Sequence, residues 1–119
     1  MCVITANVWQ NRSLGSQNNQ YNSIMSIHEG RPTVSSLVAM VTYACQLDCR
    51  YCKVKRGPIT ASRATLRKSV DFLLTSVSPD VQLQFFGGEP LLRYDLVKET
   101  ILYGERRAKE KGKRIKFMV

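Results

Sequence analysis

Three observations predict an α/β fold built on a parallel sheet. Apolar runs of strand length recur at residues 37–42, 81–86 and 113–119. Two longer stretches between them carry apolar residues at helical spacing, and the two kinds of segment alternate along the chain. That order implies right-handed crossovers, with helices packed on a parallel sheet.

Each element has its own signals. Residues 1–35 read as a polar leader, rich in Asn, Gln and Ser and broken by Gly15, Gly30 and Pro32, with one short strand at 3–8. The core domain then spans 36–119. Leu37-Val38-Ala39-Met40-Val41-Thr42 is an apolar, partly β-branched run that suits a buried parallel strand. A helix is signalled by Thr60 or Ser62 as N-cap and by Leu66, Val70, Leu73, Leu74 and Val77 on one face, with Ser78-Pro79-Asp80 as its stop. Val81 to Phe86 alternates as a second strand and leads into Gly87-Gly88-Glu89-Pro90, a turn. The second helix is predicted over 94–111, with Val97, Ile101, Gly104 and Ala108 facing inward and Gly112 as C-terminal cap. Three strands and two helices would leave one sheet face and both edges bare. The sequence therefore reads as part of a longer α/β barrel, truncated after its third strand.

Composition narrows the classes. A chain of 119 residues is too short for a complete large enzyme. No segment approaches the roughly 18 uninterrupted apolar residues of a membrane span, and no secretory signal opens the chain, so a soluble, cytoplasmic protein without a membrane partner is expected. The net charge of +9 gathers at Arg106, Arg107, Lys109, Lys111, Lys113, Arg114 and Lys116. That cluster reads first as a solvated helix end, where cations complement the helix dipole, and second as a contact site for polyanions.

Of four cysteines, Cys2 sits in the leader and reads as incidental. Cys45, Cys49 and Cys52 crowd into eight residues directly after the first strand. Bunched thiols without an export signal point to metal binding rather than disulfides. Three thiolates on a four-iron cube would leave one iron open for chemistry, whereas an electron-carrying cluster normally takes a fourth. Zinc held by these cysteines with His28 is an alternative, as is a helix that merely buries three thiols on one face. The flanking Asp48, Arg50 and Lys53 favour an exposed loop, and His28 alone reads as a surface residue. Gly-Gly-Glu-Pro in isolation would be only a tight turn. One strand after a three-cysteine loop, its glycines admit close backbone approach, and its carbonyls and carboxylate suit a positive amine.

The spacing Cys45, three residues, Cys49, two residues, Cys52, with Tyr51 just before the last, resembles the signature of the radical S-adenosylmethionine superfamily. Gly87-Gly88-Glu89 after the second strand is similar to the triplet that contacts the cofactor's methionine end in that family. The resemblance covers residues 37–119 and implies the first half of a partial (β/α)6, TIM-like barrel. It implies that Cys45, Cys49 and Cys52 ligate a 4Fe-4S cluster, that the amine and carboxylate of S-adenosylmethionine chelate the open iron, and that the backbone of Tyr51 lies beside the adenine. Gly87, Gly88 and Glu89 would hold the methionine part. The activity implied is reductive cleavage of S-adenosylmethionine to methionine and a 5′-deoxyadenosyl radical that abstracts hydrogen from substrate, with the electron supplied by a donor such as flavodoxin or ferredoxin. Phe86-Gly87-Gly88-Glu89-Pro90-Leu91-Leu92 resembles the branch that modifies peptides and proteins, sulfatase-maturing and SPASM-type enzymes among them, although Gln46 stands where Asn is frequent there. A peptide or protein substrate is the expectation. Two other classes are a non-catalytic metal-binding module and an RNA-modifying or nucleic-acid-binding protein using the basic end. Against base stacking, no aromatic interleaves those basic residues.

Overall fold

The computed structural model of the chain describes residues 5–6 and 33–119. Cys2, His28 and most of the leader lie outside the described residues. The predicted strand at 3–8 is represented by β1 (Thr5–Ala6), which pairs antiparallel with β2 (Ser36–Thr42). Then come α1 (Arg63–Leu73), β3 (Asp80–Gly87), a 3-10 turn (Pro90–Arg93), α2 (Tyr94–Glu110) and β4 (Arg114–Met118). The order across the sheet is β1-β2-β3-β4, and β2, β3 and β4 run parallel. The fold is thus α/β, a three-stranded open parallel sheet with two helices.

Alternation along the strands decides where the core lies. Leu37, Ala39 and Val41 of β2 and Val81, Leu83 and Phe85 of β3 point to one face, and all are buried. Leu66, Val70, Leu73 and Leu74 from the first crossover and Leu96, Val97 and Ala108 from α2 cover that same face. Phe117 of β4 stacks on Phe85 with ring centroids 6.1 Å apart. Its ring occupies the space above Gly104, where a Cβ would come within 2.7 Å of it. The glycine inside α2 therefore serves packing.

Helix ends follow their capping chemistry. Ser62, rather than Thr60, caps α1: its hydroxyl accepts the Thr65 N–H at 3.1 Å. The helix stops at Leu73, short of Val77, because hydroxyls of the following segment compete for the backbone. Thr75 donates to the Phe72 carbonyl at 2.6 Å and Ser76 accepts the Ser78 N–H at 3.2 Å. At the end of α2 the Lys113 N–H bonds the Ala108 carbonyl and the Gly112 N–H bonds that of Lys109, a Schellman closure around Gly112 at φ 63°. The apolar face predicted for α2 omits Leu96 and Thr100, both buried; the Thr100 hydroxyl is satisfied by the Leu96 carbonyl at 2.7 Å.

The two helices are joined by polar contacts along their outer seam. Arg63 and Arg67 each reach Glu99 at 2.6 Å, while Asp71 accepts from the Tyr103 hydroxyl at 2.8 Å and from Arg107 at 3.1 Å. Arg67 and Arg106 lie over the Tyr103 ring, 5.3 and 5.6 Å from its centroid. Much of the basic cluster is used internally as well. Arg107 also pairs with Glu110 at 2.6 Å, Arg106 lies 3.9 Å from Glu110, and Lys113 donates to the Ser76 and Ser78 carbonyls at 2.7 Å. Arg114 binds Asp80 through both guanidinium arms and holds that carboxyl below its ordinary pKa. A solvated helix end, paired in part with Asp71, Asp80 and Glu110, describes these residues. No helix among the described residues is long and apolar enough to cross a membrane.

Candidate functional site

The site lies at the carboxyl end of the sheet, where β2 and β3 give way to loops. Pairing of β2 with β3 runs in register to Met40 opposite Phe86, then slips so that Thr42 faces Gly87. One extra residue in β2 breaks the alternation. Thr42, which would otherwise share the open face with Met40, is instead buried beside Val41 at 1% exposure.

The cysteine loop leaves from this point and returns to it. Ala61 N–H bonds the Val41 carbonyl, Tyr43 N–H bonds the Ile59 carbonyl and Gly57 N–H bonds the Tyr43 carbonyl, at 2.8–3.1 Å. Thr42 and Thr60 form an antiparallel bridge. The loop's two legs are therefore zipped together below the cysteines. Inside it, the Cys49 carbonyl accepts the Cys52 N–H at 3.0 Å, a single turn with Arg50 and Tyr51 at its tip. The three cysteines are not on a helix.

All three thiols are free; Cys45 and Cys49 are half-buried and Cys52 is exposed. They line one pocket of about 70 Å³ together with Leu47, Asp48, Val54, Arg56 and Gly88. The Leu47 N–H points at the Cys45 sulfur, 3.4 Å away. Arg56 braces the loop by pairing with Asp48 at 2.9 Å and donating to the Leu47 carbonyl at 3.3 Å. Tyr51 is 84% exposed, and hydrogen bonding with the neighbouring Cys49 raises its phenol pKa above the ordinary value.

The Gly87-Gly88-Glu89 segment packs directly against the loop's first residues. Gly88 N–H bonds the Thr42 carbonyl and Glu89 N–H bonds the Ala44 carbonyl, both at 2.8 Å. A Cβ on Gly87, whose φ is 145°, would overlap the Thr42 carbonyl oxygen, and one on Gly88 would overlap that of Ala44. Close backbone approach is thus required here, and the backbone approached is that of the cysteine loop. Glu89 caps the 3-10 turn by accepting the Leu91 N–H at 3.0 Å.

The donor set can be tested against the metal centres it could hold. Among the described residues no three His, Cys, Asp or Glu side chains gather around a single point as one metal ion needs. A closed zinc centre requires such convergence of four ligands. A four-iron cube places each thiolate on a different iron, so its ligands share a pocket without converging. Three free thiols line one pocket, and one of them has an N–H on its sulfur. A larger cavity of about 260 Å³, lined by Thr42, Thr60, Ser62 and Thr65 among others, includes none of the cysteines.

The sequence brings Cys45, Cys49, Cys52 and Gly88 to one pocket, with Gly87 and Glu89 adjacent in the chain. It does not announce Thr42, Ala44 or Arg56. A threonine ending an apolar strand reads as one more strand residue.

Comparison with known proteins gives sequence kinship alone. No family model matches the chain. Over 68 residues, 56% of this chain, it is 32% identical to an uncharacterized protein of Methanocaldococcus jannaschii. The matched stretch is 23% of that protein's length, so the chain spans about a quarter of its relative.

Proposed function

We propose that this chain carries the cluster-binding portion of a radical S-adenosylmethionine enzyme acting on a peptide or protein in the cytoplasm. The observation that carries this reading is the one pocket shared by three free thiols and Gly88, with the residues just before Cys45 hydrogen-bonded to Gly88 and Glu89. The strand arrangement supports the finer reading of the fold, half of a (β/α)6 barrel. Parallel strands in chain order with both helices on one face are what a barrel wall requires, and the other face would form its interior.

In this reading Cys45, Cys49 and Cys52 hold a 4Fe-4S cluster. When bound and reduced by a donor such as flavodoxin or ferredoxin, the cluster supplies the electron that cleaves S-adenosylmethionine to methionine and a 5′-deoxyadenosyl radical. The chain's own residues bind and orient. Gly87 and Gly88 admit the backbone contact that sets the loop's height, and Glu89 offers a carboxylate to the cofactor's ammonium group. Tyr51 would border the adenine with its backbone.

The test is anaerobic reconstitution with iron and sulfide, reduction with dithionite, and measurement of 5′-deoxyadenosine formed from S-adenosylmethionine by the full-length protein. Nucleoside formation that depends on all three cysteines is the expected result. A fully loaded protein that forms none would sink the enzyme reading and leave a metal-binding module.

A further inference from the structure

We propose that Thr42 is the positioning residue of this site: its buried hydroxyl and carbonyl tie the start of the cysteine loop, the loop's return leg and Gly88 into one unit. The hydroxyl accepts the Ala44 N–H at 3.1 Å, donates to the Ile59 carbonyl at 3.2 Å and meets the Thr60 hydroxyl at 3.0 Å. One proton and two lone pairs are then fully used, with Thr60 as the second donor. The carbonyl of the same residue receives the Gly88 N–H at 2.8 Å. Ala44, one residue before Cys45, in turn receives the Glu89 N–H at 2.8 Å. Thr42 thus touches three segments that are far apart in sequence, and it is the register slip of β2 that buries it among them.

The consequence is a fixed separation between the thiols and the Gly87–Glu89 segment. Valine fills the same space without a hydroxyl, leaving the Ala44 N–H unpaired and the Ile59 carbonyl with the Tyr43 N–H alone. The loop base then shifts to find water or other partners, and Cys45 moves with it. Serine keeps the hydroxyl and the connection.

The proposal deepens the function proposed above, and its first test needs no cofactor. In the metal-free chain, alkylation by iodoacetamide read cysteine by cysteine should find exposed Cys52 faster than half-buried Cys45 and Cys49. Thr42→Val should speed alkylation of Cys45 about fivefold, the equilibrium shift of one lost hydrogen bond. Thr42→Ser should keep the original pattern. A folded Thr42→Val chain with unchanged alkylation, or a serine variant that behaves like valine, overturns the proposal. If Thr42→Val does not fold, Thr60→Val decides, because it removes only the facing hydroxyl: a smaller shift in the same direction supports the tie and an unchanged pattern overturns it. In the iron-loaded full-length protein, the change that S-adenosylmethionine makes to the reduced cluster's paramagnetic resonance spectrum should survive Thr42→Ser and be lost in Thr42→Val. No spectral change in the parent protein would overturn the cofactor reading, while the alkylation result would still decide the role of Thr42.

Discussion

The helix-covered face of the sheet and the loop end of the same sheet solve opposite problems. Beneath α1 and α2, Leu66, Val70, Leu83 and Phe85 are sealed, and the seam above them is laced by Asp71, Glu99, Tyr103 and three arginines. At the loop end Leu47 and Tyr51 face solvent, three thiols stand free, and order comes from backbone hydrogen bonds. Stability is concentrated in one region and available chemistry in the other. The two meet at Thr42 and Gly88.

Substitutions ranked by their effect on stability should trace that division. Phe85→Ala removes a fully buried ring stacked on Phe117 and should destabilise the fold by about 3–5 kcal/mol, measured by urea denaturation. A loss below 1 kcal/mol would break the assignment of the core to this face. Gly88→Ala forces a methyl onto the Ala44 carbonyl and should take about 1–3 kcal/mol, because the backbone must move. Its iron uptake on reconstitution should fall too, which sets it apart from a core variant. Stability that drops with no change in iron uptake would uncouple the two regions.

The seam should respond to pH. Glu99 is held below its ordinary pKa by Arg63 and then Arg67, and Asp80 and Asp95 by Arg114 and Arg93. A carboxylate whose folded pKa is depressed binds fewer protons folded than unfolded near its ordinary pKa. Its contribution is present above the unfolded value, near pH 4, and is lost as pH falls through the folded one. The unfolding midpoint should therefore decline on acidification below about pH 4, and Glu99→Gln should flatten that decline. An unchanged slope in this variant would remove Glu99 from the acid response. Smallest of all should be the stability effect of Cys49→Ala, within about 0.5 kcal/mol for a half-buried site outside the core. The same variant should lose iron–sulfur absorbance on reconstitution, and activity surviving it would refute the ligand assignment.

How much of this was legible in the sequence depended on the range of the interaction. Apolar runs and helix faces are local, and β2, α1, β3, α2 and β4 each lie within a few residues of their predicted places. The early end of α1 follows from Thr75, Ser76 and Ser78, whose hydroxyls outweighed the continuing period at Val77. The basic cluster was legible as a solvated helix end, but two of its partners were not, because they are remote: Asp71 lies 36 positions before Arg107 and Asp80 lies 34 before Arg114. At the site the residue types were legible and one of their uses was not. The glycines suggested close backbone approach, but not that the carbonyls of Thr42 and Ala44 are what come close to them. Thr42 was invisible because its burial arises from a slip in pairing that no pattern along one strand records.

The zipped base of the cysteine loop also bears on how such a site could vary. With Tyr43 bonded to both Gly57 and Ile59, the two ends of the intervening segment are held as neighbours whatever its own conformation. Lengthening a loop that is already closed adds little entropic cost, because that cost grows only slowly with length. Insertions between Cys52 and Arg56 should therefore leave the register of β2 against β3 undisturbed. The zip makes the loop a replaceable cassette on a fixed frame.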